Sequence, residues 1–235
     1  MARRVIQNSF SLLNVDRVRL DKKWNYKNVI SPYYRLYYID EGRGLISNGE
    51  GKWVLERGYM YLIPAFTLCD LHCEKYLGQY FIHFFEDSGN GISVFNNNRK
   101  IYKVKANNRD ISMQNRLLEI NPGRRINRSD NPKDYEKNIH YQEYEALNNK
   151  QSMSVFYETQ GILFQLLSRF LSSVNNAEPR HSAVTPKLID LLGYIQLNLK
   201  KNLTVAELAR IVNQHPDYMS RMFQKLTAIS CWSRT

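Results

Sequence analysis

Two sets of residues in this sequence have types and spacings suited to chemistry. The first lies within "LTVAELARIVNQHPDYMSRMFQK", residues 203–225. If "DYMSRMFQKLT" forms a helix that buries Met219, Met222, Phe223 and Leu226, its outward face presents Asp217, Ser220, Arg221, Gln224 and Lys225. Those residue types hydrogen-bond base edges or hold phosphates, and an arginine such as Arg221 can bond bidentately to guanine. A helical hairpin with a solvated polar face would carry the same residues. The second set is Cys69-x3-Cys73 with His72 between, the spacing of half a zinc site. No second half follows, so ordinary packing is expected there. His72 and His83 lack the His-x-His pair, carboxylate and later His that a metal-dependent barrel enzyme brings together. No Gly-rich phosphate loop, nucleophile elbow or acidic pair is present. The residues therefore predict no catalytic group, no metal and no cofactor.

The elements that position the first set are legible locally. Thr204 suits an N-cap, and Glu207 three residues later completes a capping box. In the helix "VAELARIV", Leu208 and Val212 face a core, while Ala209 is small where another helix must cross closely. Asn213 tolerates a left-handed backbone and can turn the chain, and Pro216 suits the first position of the next helix. A small residue, a turn residue four later and an apolar residue six beyond that is helix-turn-helix spacing. Upstream, "KLIDLLGYIQLNL" reads as an amphipathic helix with Leu188, Ile189, Leu192, Ile195 and Leu199 on one side.

From about residue 10 to 105 the pattern is one of short strands and Gly-bearing turns. "YYRLYYID", "GLISN", "KWVLE", "YMYLIP" and "QYFIHFF" alternate with "EGRG", "NGEG", "RG" and "DSGNG". That spacing predicts an antiparallel sandwich or barrel whose strands are apolar on both faces. From 108 to 175 the period becomes helical. Ile111, Asn115, Leu117 and Leu118 predict a short helix. After the polar "RINRSDNPKDYEKN", Val155, Ile162, Leu163, Leu166, Leu167, Phe170 and Leu171 predict a long one. Its stripe must be buried on the sheet or on a second copy of the chain. "SSVNNAEPRHSAVTP" reads as a linker.

The chain has 235 residues, 43% of them hydrophobic and 23% charged, enough for one large or two ordinary domains with real cores. Net charge is +11 and the sequence pI is about 9.5, which points to an anionic partner, nucleic acid before membrane. Three cysteines without framework spacing suit a reducing cytoplasm. "MARRVIQNSF" lacks the apolar core of a secretion signal, and "GILFQLLSRFLSSV" is too interrupted to span a bilayer.

The segment "NLTVAELARIVNQHPDYMSRMFQKLT" resembles the first helix-turn-helix of AraC-type transcriptional regulators. Pro216 opens the recognition helix, and Tyr218-Met219-Ser220-Arg221-Met222-Phe223 follows that family's Tyr-Leu-Ser-Arg-hydrophobic-Phe. "LYYIDEGRG", "LERGYMYLIP" and "IHFF" resemble its cupin-like sensor domain. The resemblance implies an α+β chain in four parts. These are a cupin-like β-barrel or sandwich sensor over 1–107, a helical dimerisation and packing region over 108–176, a linker over 177–186, and an all-α DNA-binding part over 187–235. It implies double-stranded DNA as partner, a homodimer, no membrane, and a small-molecule effector such as a sugar. Tyr37, Glu41, Cys69, Gln79 and Phe81 are then the positions expected to face the effector. An aromatic core without a ligand reads the same strands as well. Where the family has a Gly and a second motif, this sequence has Ala228 and "AISCWSRT". The expectation is thus a truncated copy with weakened DNA binding. The alternatives are a sensor or dimerisation fragment that does not bind DNA and, third, a cupin enzyme.

Overall fold

The structure is a computed structural model that describes residues 8–88, 93–95, 100–125, 131, 138–171, 191, 194–195, 203–211, 214–217 and 219–220. Its strands are β1 (Asn8–Asp21), β2 (Asn25–Val29), β3 (Tyr34–Asn48), β4 (Gly51–Glu56), β5 (Tyr59–Ile63), β6 (Cys69–His72), β7 (Tyr76–Ser88) and β8 (Tyr102–Lys105). The helices are α1 (Asn108–Ile120), α2 (Asn138–Asn149), α3 (Met153–Leu171) and α4 (Val205–Ile211). Local chemistry sets the turns. Asn48 Oδ1 accepts from Glu50 N at 2.8 Å and Gly51 N at 3.1 Å, which closes the β3–β4 hairpin.

All strand pairs are antiparallel, and the main path runs β1-β7-β3-β5-β8. The second layer is β2-β6-β3-β4, so the long strand β3 serves both. Among the described residues the main path ends at β1 and β8 without joining, so the architecture is a sandwich and not the closed barrel that the sequence also allowed.

A bulge marks the place where β3 changes sheets. Ile39 pairs with Gln79 and Glu41 with Gly78, which leaves Asp40 as an extra residue. Inward-facing positions are odd before it (Tyr37, Ile39) and even after it (Gly44, Ile46). Opposite the bulge a Cβ on Gly78 would lie 2.5 Å from Asp40 Oδ1 and 3.0 Å from Glu41 Cβ, so any larger residue makes the Asp40 side chain shift.

One apolar cluster fills the space between the two layers, with Trp24, Tyr37, Ile39, Ile46, Tyr61, Leu71 and Phe81 among its members. A second covers the other face of the main sheet, where Leu36, Met60, Leu62, Ile82 and Phe84 meet α1 and α3. The main sheet is thus buried on both faces, as its apolar strands require. The α3 stripe of Ile162, Leu163, Leu166, Leu167 and Phe170 is buried on the sheet. At about 1.5–3 kcal/mol per buried side chain, those five contribute roughly 8–15 kcal/mol. At the start of the same helix Met153, Phe156 and Tyr157 are exposed.

Polar side chains fasten the helices. The Asn107 side chain caps α1 by accepting from Asp110 N at 3.0 Å, and Asp110 Oδ2 accepts from Asn107 N at 2.8 Å. Asp110 also receives Arg169 Nε of α3 at 3.3 Å. Gln160 of α3 accepts from Phe10 N at 2.9 Å and donates to Phe10 O at 2.5 Å, so an amide pairs with strand β1 as another strand would.

The linker, most of the polar segment before α2 and residues 221–235 lie outside the described residues. In the C-terminal part, Leu191, Leu203, Leu208, Ala209 and Met219 share a cluster with half-buried Tyr194, Ile195 and Val205. Leu191 is fully buried there beside Ile195 of the expected stripe, while Leu188, Ile189, Leu192 and Leu199 lie outside the described residues.

Candidate effector site and DNA-facing motif

Four of the five positions expected at an effector site come together on the inner face of the sandwich. Tyr37 pairs with Phe81 across β3 and β7, and both are buried. Cys69 begins β6 in the same cluster, and Gln79 lies two residues before Phe81 on the same face of β7. Gln79 is buried, and its Oε1 has no hydrogen-bond partner. Glu41 does not share this face. The bulge at Asp40 turns it outward, where its carboxylate is exposed and 3.5 Å from Arg17.

The chemistry of the interior centres on a residue not among those five. Arg35 is two residues before Tyr37 on β3, pairs with His83 across β7, and is 2% exposed. Its Nη2 donates to Thr67 O at 3.1 Å and to Cys69 Sγ at 3.5 Å. Its Nε and Nη1 are buried without a hydrogen-bond partner, and no carboxylate among the described residues pairs with it. Burial works against the charge, but the Cys69 thiol and the Tyr37 and Tyr33 phenols more than offset it and hold the guanidinium above the ordinary arginine range. Among the described residues no carboxylate stands against this buried positive charge. An isolated buried charge costs several kcal/mol.

His83 completes this end of the interior. Its ring lies 5.0 Å from Tyr33, 5.0 Å from Phe81 and 6.2 Å from Tyr37. Burial first, and the charge on Arg35 second, hold its imidazole well below the ordinary range. It is therefore neutral at neutral pH and adds no charge beside Arg35. From His83 to Gln79 the inner face of β7 runs four residues, roughly 13 Å at strand rise.

Arg124 shows what a structural buried arginine looks like in this fold. It is 1% exposed, and it donates to Leu12 O at 2.8 Å, Leu13 O at 3.1 Å and Asn148 Oδ1 at 2.6 Å. Its guanidinium is satisfied by the carbonyls at the β1 irregularity and by α2. Burial lowers its pKa to about 10, partly opposed by Tyr144. Arg35 has no comparable set of acceptors.

The described part of the C-terminal motif follows its local signals. Glu207 N donates to Thr204 Oγ1 at 3.2 Å and Thr204 N to Glu207 Oε2 at 3.4 Å, the two halves of the capping box. Leu208 and Ala209 are buried, α4 ends at Ile211, and Gln214 N is bonded to Ala209 O at 2.9 Å. Met219 N donates to His215 O at 3.0 Å as the next helix opens at Pro216, and His215 Nδ1 accepts from Asp217 N at 3.3 Å. Asp217 is exposed and Ser220 half-exposed. Arg221, Gln224 and Lys225 lie outside the described residues. Among the described residues no cluster of His, Cys, Asp or Glu can hold a metal ion, and no helix is long and apolar enough to cross a membrane.

Arg35 and His83 were missed as site residues because each reads as one polar residue in an apolar strand. The available signal was an arginine at an inward parity of "YYRLYYID", two residues from Tyr37.

No family profile and no curated protein matches the sequence. Among solved structures, the chain is similar to ToxT from Vibrio cholerae, with a TM-score of 0.48 and 8% identity over 94% of this chain and 77% of that one. A ToxT structure with unsaturated fatty acid bound gives 0.35 and 10% over 98% of this chain and 95% of that one. The AraC-like transcriptional activator CuxR gives 0.38 and 11% over 93% and 69%. A cupin-2 domain protein from Shewanella frigidimarina gives 0.26 and 15% over 34% of this chain and 72% of its own.

Proposed function

We propose that this chain is an AraC-type transcriptional regulator. Its sandwich takes a small anionic effector at Arg35, and its 204–225 motif engages double-stranded DNA. The observation that carries the effector reading is the buried cation of Arg35, which pairs with no carboxylate among the described residues and has two buried nitrogens, Nε and Nη1, without an acceptor. A carboxylate or similar anion supplies both the missing charge and the missing acceptors, and charge-assisted bonds of this kind are about twice as strong as neutral ones. A neutral sugar supplies acceptors only, so the charge favours an acid over the sugar expected from the family. Tyr37, Phe81, Cys69 and Gln79 supply the wall along which the rest of such a molecule lies. The Thr204–Glu207 capping box, buried Ala209 and the opening of the next helix at Pro216 support the DNA reading, in which Asp217, Ser220, Arg221, Gln224 and Lys225 are the groove-facing residues and the cytoplasm is the place of action. The exposed Met153, Phe156 and Tyr157 at the start of α3 favour a second copy of the chain as partner, within the 108–176 region.

The test has two arms. In a thermal-shift series, octanoate and oleate should raise the melting temperature of the wild type while glucose and arabinose do not, and Arg35→Met should abolish the shift. A sugar response without a carboxylate response would overturn the effector assignment. In selection from a random duplex pool at low salt, where the weakened DNA binding expected from the sequence still registers, the chain should enrich a motif. Arg221→Ala should then cost about 1–3 kcal/mol at one base position, whereas Lys225→Ala weakens all sequences alike. Failure to enrich any motif from the pool would overturn the DNA assignment.

A further inference from the structure

Phe66 stands where three parts of the molecule meet. It lies in the connection from β5 to β6 and has a φ of +57°, a left-handed backbone that a bulky side chain rarely adopts. Phe66 N donates to Ser31 O at 2.7 Å, and Thr67 N to Pro64 O at 3.3 Å, so the backbone is pinned in that conformation. The next carbonyl, Thr67 O, is the acceptor that holds Nη2 of Arg35. On the other side the Phe66 ring packs both against the cluster between the main sheet and its helices and against the cluster of Leu191, Leu203, Leu208, Ala209 and Met219. One short connection therefore touches the buried cation through its backbone and the core of the helix-turn-helix through its side chain.

We infer that Phe66 is a wedge through which occupancy of the Arg35 site and the placement of the DNA-binding motif bias each other. The inference rests on the proposed reading of Arg35 as the effector site. An anion bound at Nε and Nη1 draws the guanidinium of Arg35 away from Thr67 O, the acceptor of its Nη2, and loosens the backbone next to Phe66. A residue held at positive φ has a relaxed alternative nearby, so the loop has two arrangements rather than a continuum. In the relaxed one the ring leaves the helix-turn-helix cluster and frees that motif. Coupling of this kind is reciprocal, so DNA bound to the motif also changes the affinity for an anion at Arg35.

Hydrogen exchange on the full chain tests this without DNA or effector, so its result is independent of whether the chain proves to enrich a duplex. Phe66→Ala should speed exchange at the amides of Val205–Ile211 on the order of 10-fold and leave β3 and β7 unchanged. Phe66→Gly, which removes the ring and relaxes the backbone, should do the same and secures the result if the alanine variant folds poorly. Arg35→Met should also change exchange at Val205–Ile211, and adding it to Phe66→Ala should change nothing further. Unchanged exchange at Val205–Ile211 in both Phe66 variants would overturn the proposal. Fully additive effects of Arg35→Met and Phe66→Ala would overturn it as well, because the two then act by separate routes.

Discussion

Replacing Arg35 by methionine should make the sandwich more stable, whereas the same replacement at Arg124 should weaken it severely. Both arginines are buried and neither has a carboxylate partner among the described residues, so the difference lies in their acceptors. At Arg35 the change forfeits the bond to Thr67 O and a weak contact to Cys69 Sγ, together worth about 1.5–3 kcal/mol for a charged donor. Thr67 is itself half-exposed, so its carbonyl regains water. Against this, two buried donor nitrogens without acceptors disappear, at about 1–3 kcal/mol each, along with the cost of a buried charge with no carboxylate partner among the described residues. An unbranched apolar side chain fills most of the vacated space. The net expectation is a gain of about 1–3 kcal/mol, within the range seen when buried ionic groups give way to apolar ones. At Arg124 the change takes a donor from Leu12 O, Leu13 O and the half-buried Asn148 Oδ1, of which Leu12 O keeps Asn148 Nδ2, and the expected loss is about 3–5 kcal/mol. Urea unfolding followed by the fluorescence of Trp24, which is buried between the layers, reads both. The midpoint should rise for Arg35→Met and fall for Arg124→Met, with unchanged slopes. If Arg35→Met destabilises as much as Arg124→Met, Arg35 is a structural residue and the effector assignment fails with it.

Three further expectations concern the same framework. His83 has a folded pKa well below its ordinary 6.5, so below pH 6.5 the unfolded chain takes up a proton that the fold refuses. Stability should then fall by about 1.4 kcal/mol per pH unit until the folded value is reached, with no contribution from this group above that window. Urea midpoints at about pH 7 and about pH 5 should show that extra slope in the wild type and lose it in His83→Phe. Gln160→Ala removes both partners of the Phe10 backbone and should cost about 2–4 kcal/mol in the same unfolding assay. Asn107→Ala should cost about 1 kcal/mol as a lost N-cap. Asp110→Ala should cost about twice that, because Asp110 also receives Arg169.

What the sequence determines here is local. Asn48 and the Gly-bearing turns set the hairpins, Asn107 and Asp110 start α1, and the Thr204–Glu207 box starts α4, each through contacts within a few residues. The apolar strands of the main sheet and the stripe of α3 announce burial, because side-chain period and hydrophobicity travel together. Tertiary structure decides which face each residue takes once the period is broken. Strict alternation puts Glu41 beside Tyr37 and Ile39, but the extra residue at Asp40 reverses the parity, and Glu41 meets Arg17 outside. It also decides which polar residues are satisfied. Arg35 and Arg124 are both single arginines in the sequence. Only the β3–β7 register sets Arg35 opposite a neutral His83 with too few acceptors, and only the return of the chain after α1 brings Arg124 to the carbonyls of Leu12 and Leu13. Hydrogen-bond satisfaction depends on atoms distant in the chain, and for that reason no window of sequence contains it.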